Sequence, residues 1–319
     1  MQRPFAFALQ FDRSSKHLYV VYEGGLLKVW DVNARDEATG GFACVRETRL
    51  AQPSGRYQIS ADCRRLLADT QSEDGRSLEG TVVDLASGAM MCHFVEKVEW
   101  GTACALSPDG RFVAVEAGST RAREIAIREA ATGKLLKHLP VVADVLAFSP
   151  DGRILACGRK DWFGGDGVSL WSVGTGKQIG TLAGGAGKLY TLKFKADGRT
   201  VCAVADWVKQ GCLWTWDVPV PGHKGTVVPK LQQFLGVLEH KVDIAGGTLG
   251  TLVWVEGYVA YVCTLGPKVV ATSPVLWEDG GIVDAVSISP DGKKVAYAKS
   301  KDHSVWIRDL GSGNPEALP

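Results

Sequence analysis

The sequence predicts an all-β fold, a seven-bladed β-propeller of four-stranded antiparallel blades, on three observations. One turn motif returns at a fixed interval, apolar strands flank each copy, and a Trp-Asp pair or a relative of it closes the third strand of several units. A repeat of about 40 to 50 residues is the mark of a radial or stacked repeat architecture. Four strands per unit select the propeller.

The turn comes first. Ser107-Pro108-Asp109-Gly110-Arg111 returns as Ser149-Pro150-Asp151-Gly152-Arg153 and as Ser289-Pro290-Asp291-Gly292-Lys293, with a weaker copy at Lys195-Ala196-Asp197-Gly198-Arg199. The turn glycines 110, 152, 198 and 292 are separated by 42, 46 and 94 residues, and 94 is two steps of 47. Ser60-Ala61-Asp62-Cys63-Arg64 lies 47 residues before Ser107, and Asp12 to Lys16 lies about one step earlier. Val255-Glu256-Gly257-Tyr258 fills the empty step. Pro presets its own φ, Asp bonds the local backbone and Gly supplies a positive φ, so the motif reads as a hairpin turn.

The strands follow. Val145 to Phe148 is an apolar run before a turn, and Arg111 to Val115 alternates after one. Third strands end at Val29-Trp30-Asp31, Leu170-Trp171-Ser172 and Thr215-Trp216-Asp217, and Trp30, Trp171 and Trp216 are read as core. Short turns such as Thr132-Gly133-Lys134 then lead to fourth strands such as Leu135 to Leu139. The whole chain, 1–319, reads as one propeller with blades near 5–50, 51–95, 96–140, 141–183, 184–240, 241–278 and 279–319.

On these residues the chain resembles the tryptophan–aspartate (WD) repeat family over essentially its full length, as a divergent, bacterial-looking member. The departures are specific. The Gly-His pair usual in that family before the inner strand is missing, with Glu239-His240 the nearest approach and Gly222-His223 misplaced. Val83, Arg128 and Arg308 stand where a strand tryptophan is expected. The side-chain network of the family therefore cannot form in its usual way, and apolar packing between adjacent sheets is expected to hold the blades.

Composition narrows the function classes. The chain is 45% hydrophobic with a net charge of +1, which suits a packed core and gives no electrostatic case for nucleic acid. Its eight cysteines show no Cys-x-x-Cys pair, and buried thiols in a reducing compartment are expected. Phe5 to Leu9 is too short for a signal-peptide core and no stretch could span a membrane, so a cytoplasmic protein is expected. It is read as a monomer unless it belongs to a larger assembly. Few residues precede the first strand, so Asn314 to Leu318 is expected to supply the last outer strand, in short form. From Val218 to Gly247 the fifth blade is overlong, with Lys230 to Leu238 as its outer strand, and such loops often carry function.

Motifs for chemistry fail on context. Gly184-Gly185-Ala186-Gly187-Lys188 resembles the end of a phosphate loop, but Leu182 and Leu189 replace its first glycine and its hydroxyl, and a strand follows. Asp161 to Gly167 lacks calcium-loop spacing. No catalytic residue, metal or cofactor is expected. Asp144 and Asp284 each stand five residues before a turn serine, at the channel mouth, as turn-capping residues or as part of a metal-dependent hydrolase site. Gly55, Thr102 and Tyr190 occupy the matching places, so no acidic ring is evident.

The aromatic loops are more informative. Asp161-Trp162 and Asp206-Trp207 lie 45 residues apart, and Lys301-Asp302-His303 is a third variant. The WD resemblance implies a structural turn role for Asp161, Asp206 and Asp302. Trp162 and Trp207, with Trp100, Arg121, Arg123, Arg159, Lys160 and Lys209, either pack sideways against neighbouring blades or form a partner-binding surface, since Trp and Arg compose interface hot spots. Two functions follow: a non-catalytic scaffold module for a protein or peptide of unknown identity, or a propeller enzyme of hydrolase or lactonase type. The Ser-Pro-Asp-Gly turns fall on the opposite face and are expected to touch no partner.

Overall fold

A computed structural model describes the chain except residues 1–3, 52–54, 99–102, 120–121, 160–166, 184–188, 208–209, 220–225, 229–230, 237–241, 245–250, 257–258, 265–269, 277–282, 300–302, 311–314 and 319. Side chains are also left aside at 206–207, 210–211, 226, 231–236, 242–244, 251–256, 259–264, 270–276, 284 and 315–317.

The described residues form a β-propeller arrangement of antiparallel sheets. The first sheet is β1–β4 (Ala6–Phe11, His17–Tyr22, Leu26–Arg35, Phe42–Arg49) and the second is β5–β8 (Arg56–Ile59, Arg65–Gln71, Ser77–Asp84, Met90–Lys97). Next come β9–β12 (Cys104–Leu106, Phe112–Ser119, Ala122–Glu129, Leu135–Leu139) and β13–β16 (Val145–Phe148, Ile154–Gly158, Val168–Ser172, Gln178–Leu182). Strands β17–β19 (Leu189–Phe194, Thr200–Trp207, Gln210–Asp217) join β21 (Leu231–Gly236), while β20 (Thr226–Val227) goes elsewhere. The last two are β22–β25 (Val242–Ile244, Thr251–Glu256, Val259–Thr264, Val270–Leu276) and β26–β29 (Val283–Ile288, Lys294–Lys299, Val305–Asp309, Pro315–Ala317).

The expectation of seven four-stranded blades is corrected: among the described residues six sheets are four-stranded, and the one built on β13–β16 has five strands. The overlong segment after β19 is the cause. It lays β20 in parallel on the outer edge of β16, with Thr181 opposite Thr226 and Leu182 opposite Val227, before β21 closes its own sheet. Pro219 on the same segment comes so close to Gly180 that a Cβ there would lie 2.8 Å from its ring.

The turn motif builds one geometry repeatedly. Ser107 Oγ donates to Asp109 Oδ1 at 2.7 Å, that oxygen accepts the Arg111 N–H at 3.1 Å, and the Phe112 N–H donates to Ser107 Oγ at 2.9 Å. The same set recurs at Ser149, Ser289 and Ser60, and once more at Ser72-Glu73-Asp74-Gly75-Arg76, between β6 and β7. A side chain so bonded reproduces the backbone turn it encloses, which is why the motif specifies structure locally.

The contacts divide the chain into two compact units: Met1–Leu66, Val83–Met90 and Glu239–Pro319 in the first, and Leu67–Val82 and Met91–Leu238 in the second. In each, the core is a series of apolar layers between neighbouring sheets. In the first unit, Phe11, Leu18 and Trp30 pack with Ala296, Ile307 and Leu318, so the last sheet rests on the first. The short β29 pairs with β28, Ala317 opposite Trp306, and Leu318 is buried beyond it. In the second unit Leu67 and Phe94 pack with Val113 and Val115, Ile125 and Leu139 with Leu155 and Trp171, and Ala156 and Leu170 with Val201 and Trp216. Burial of such apolar surface stabilises by about 25 cal/mol per Å².

Arg128 shows how a missing strand tryptophan is replaced. Its Nε lies 2.6 Å from Glu96 Oε1, its Nη1 donates to the Gly133 carbonyl at 2.5 Å, and its guanidinium lies over the Phe94 ring. Trp171 and Trp216 are buried, with Nε1 donating to Ser169 Oγ at 2.9 Å and to the Ala183 carbonyl at 2.7 Å, and Trp30 is buried as well. Among the described residues no helix is long and apolar enough to cross a membrane.

Candidate functional site

Strand order places the hairpins between second and third strands at the same end of each sheet as the sheet-to-sheet connections. In the second unit the Asp144 N–H donates to the Gly158 carbonyl at 2.8 Å, which ties one such connection to one such hairpin. Of the predicted loop cluster, Trp207 and Arg159 lie beside such hairpins. Trp207 ends β18 and pairs with Gln210 of β19, and Arg159 is exposed just after β14. Trp100, Arg121, Lys160, Trp162, Lys209, Asp161 and Asp302 lie outside the described residues. The side chains of Asp206, Trp207 and Asp284 do so too.

Arg123 is placed differently from a free loop cation. It is the second residue of β11, and it bridges two sheets: Nε lies 2.5 Å from Glu116 Oε1 on β10, and Nη2 lies 2.9 Å from Asp144 Oδ1 just before β13. Its side chain is 21% exposed and that of Glu116 is 2% exposed. Burial opposes the guanidinium charge, but the hydrogen bonds and negative charges of Glu116 and Asp144 outweigh it and raise the Arg123 pKa. Glu116 Oε2 has no hydrogen-bond partner among the described residues. The carboxylate of Asp144 is thus drawn into a structural ion cluster.

At the corresponding end of the first unit stands an aromatic cluster that the sequence reading missed. Phe5 and Phe7 have ring centroids 5.1 Å apart, Phe7 and Tyr57 are 5.4 Å apart, and Phe5 meets His303 edge-on at 5.2 Å. These residues come from three sheets: Phe5 and Phe7 from the start of the first, Tyr57 from β5, and His303 from the connection between β27 and β28. Phe7 is 40% exposed, among the large apolar side chains left to solvent. It stands five residues before Asp12, the place that Asp144 holds relative to Ser149. Only His303 gave a signal, as the third variant of the Asp-Trp loops.

The opposite end of the second unit carries a groove of about 420 Å³ between the sheets of β12 and β15. Its floor is Phe112, Leu136 and Val173, and Arg111, Lys137 and Arg153 stand along it. Arg111 and Arg153 belong to the recurring turns. Among the described residues no group of three or more His, Cys, Asp or Glu side chains is arranged to hold a metal ion.

The site and fold together define a β-propeller-type repeat protein whose first unit carries an exposed aromatic cluster and whose second unit carries a cationic groove. No protein-family model and no curated protein matches the chain.

Proposed function

We propose that this chain is a WD-repeat-like, cytoplasmic, non-catalytic module that binds a protein or peptide at the hairpin end of its sheets. The observation that carries this reading is the cluster of Phe5, Phe7, Tyr57 and His303, converging from three sheets with Phe7 left in solvent. Aromatic groups held rigidly at a surface present large contact area at little entropic cost, and truncating such anchors at an interface commonly costs about 2 kcal/mol or more. The WD-like reading rests on the recurring turns and strand tryptophans. The cytoplasmic one rests on seven described cysteines that carry free thiols, five of them buried. The hydrolase alternative loses support because Asp144 is held by Arg123.

The test is quantitative co-purification of partners by wild type, by Phe7→Ala and by the double variant Trp162→Ala, Trp207→Ala. A partner recovered by wild type and depleted at least fivefold by Phe7→Ala supports the reading. Equal recovery by all three counts against this surface.

A further inference from the structure

Strand β12 is entered through Lys134-Leu135-Leu136-Lys137, two apolar residues between two cations. Leu135 and Leu136 are 39% and 42% exposed. Consecutive strand residues ordinarily face opposite sides, with one of them covered. Here the strand is bulged: Lys137 lies opposite Ile127 and Leu135 opposite Arg128, so Leu136 has no counterpart and both leucines stand in solvent.

Cations surround the pair. Arg111, Lys137 and Arg153 border the groove, and Arg153 has a side chain 84% exposed. Lys134 and Lys177 are exposed on the hairpins that lead into β12 and β16, and among the described residues neither forms an ion pair. The second of these hairpins rests on β12, since a Cβ at Gly176 would lie 3.4 Å from Lys137 Cδ.

The carboxylates nearby are fewer and already engaged. Arg111 Nε lies 2.5 Å from Asp109 Oδ2 and Arg153 Nε lies 3.8 Å from Asp151 Oδ2. In each aspartate Oδ1 accepts a serine hydroxyl and a backbone N–H of its own turn. Glu129 Oε2 accepts the Thr132 hydroxyl at 2.6 Å. Lys137 Nζ donates to the Gly174 carbonyl, a neutral acceptor. Five cations thus face three carboxylates, which leaves the patch two charges positive.

The shape of the patch selects its occupant. An acidic strand finds no anchor on β12, because Pro140 follows Leu139 without an N–H to give and Glu124 Oε1 already faces His138 Nδ1 at 2.8 Å. A ligand confined to the groove would cover Leu136, which lines it, and leave Leu135, which does not. A broad anionic surface with an apolar interior takes both leucines at once, while the long lysine and arginine side chains reach its charges.

We propose that this corner of the second unit docks on an anionic lipid bilayer. Leu135 and Leu136 enter the boundary between headgroups and acyl chains, and Lys134, Lys137, Arg153 and Lys177 lie against the anionic headgroups. Each cation near such a surface adds to an attraction that salt screens. Two half-exposed leucines insert only shallowly, so the binding is reversible. This surface is separate from the aromatic cluster, and the inference goes beyond the protein-binding reading without depending on it.

The test is co-sedimentation of the full chain with sucrose-loaded phosphatidylcholine vesicles containing about 30% phosphatidylserine, beside vesicles of phosphatidylcholine alone. Wild type is expected to partition at least tenfold more strongly onto the anionic vesicles and to dissociate as salt is raised. Lys134→Glu with Lys177→Glu is expected to lose at least fivefold, and Lys134→Arg with Lys177→Arg to retain binding. Leu135→Ser is expected to lose at least threefold, a loss that binding in the groove alone would not produce. An unchanged Tm verifies that each variant folds, and the exposed lysines carry the test if the leucine variant melts early. No sedimentation with anionic vesicles, equal sedimentation with neutral ones, or full binding by the charge-reversed variant overturns the proposal, as does full binding by a folded Leu135→Ser. A fluorescein-labelled hexaglutamate peptide is the remaining arm. If wild type binds it through Lys134 and Lys177 but ignores the vesicles, the patch serves an acidic protein and the proposal falls.

Discussion

The backbone N–H of Asp291 donates to Ser15 Oγ at 3.2 Å, joining the turn of the last sheet to the turn of the first across 276 positions of sequence. Ser15 is buried and has a φ of +59°, so a strained residue is held where its hydroxyl serves a distant strand pair. Ser15→Ala removes that acceptor and leaves the Asp291 N–H without it. A loss of about 1 kcal/mol is expected in urea unfolding, with little change in m-value.

Arg123 neutralises two carboxylates from two sheets, and one of them, Glu116, is almost wholly buried. Arg123→Ala strands that buried charge and is expected to cost roughly 3 kcal/mol or more, read from the unfolding midpoint. Arg123→Ala with Glu116→Gln should recover a substantial part of the loss. If the double variant is no more stable than the single one, the cluster does not act as an ion pair.

Gly40 and Gly88 end the same type of turn, after Asp36 and Asp84, with φ of +68° and +75°. Their surroundings differ. A Cβ at Gly40 meets nothing within 4 Å, whereas one at Gly88 would lie 2.3 Å from the Arg49 carbonyl oxygen. Gly40→Ala is expected to cost only the left-handed strain, about 1 kcal/mol. Gly88→Ala should cost clearly more, because backbone must move. Equal Tm losses in the two variants would contradict the close packing of this turn on β4.

The recurring turns set an acid sensitivity. Burial pushes the carboxyls of Asp109, Asp151 and Asp291 upward, but hydrogen bonds from Ser107, Ser149 and Ser289 and from the following N–H groups outweigh it and hold all three below their ordinary value of 3.8. A lowered folded pKa contributes stability that is present above the unfolded value and lost as pH falls through the folded one. Stability should therefore decline below about pH 4. The variant Ser107→Ala, Ser149→Ala, Ser289→Ala should be less stable at pH 7 and lose less on acidification. Parallel pH curves for variant and wild type would contradict this.

How much was legible follows from range. The Ser-Pro-Asp-Gly turn encloses its own hydrogen bonds within six residues, so the strands beside it could be placed from sequence. The strand β20 could not: two residues pair in parallel with Thr181 and Leu182 some 45 positions away, and nothing in Thr226-Val227 announces it. Arg128 was visible as a departure from the strand tryptophan, but its compensation by Glu96 depends on packing between sheets. Phe5, Phe7 and Tyr57 read as ordinary strand residues and His303 only as a variant of the Asp-Trp loops, and only the fold brings them together. Arg111 and Arg153 of the turns line the groove between β12 and β15, a juxtaposition that depends on neighbouring sheets and not on the motif alone.

The most direct measurement for the binding-module account is partner co-purification with wild type and Phe7→Ala side by side at equal bait concentration. At least one protein should be recovered reproducibly with wild type and fall at least fivefold with Phe7→Ala, while the Tm of the bait stays within a few degrees. Recovery of the same proteins in equal amounts by both, or of none by wild type, would contradict the account.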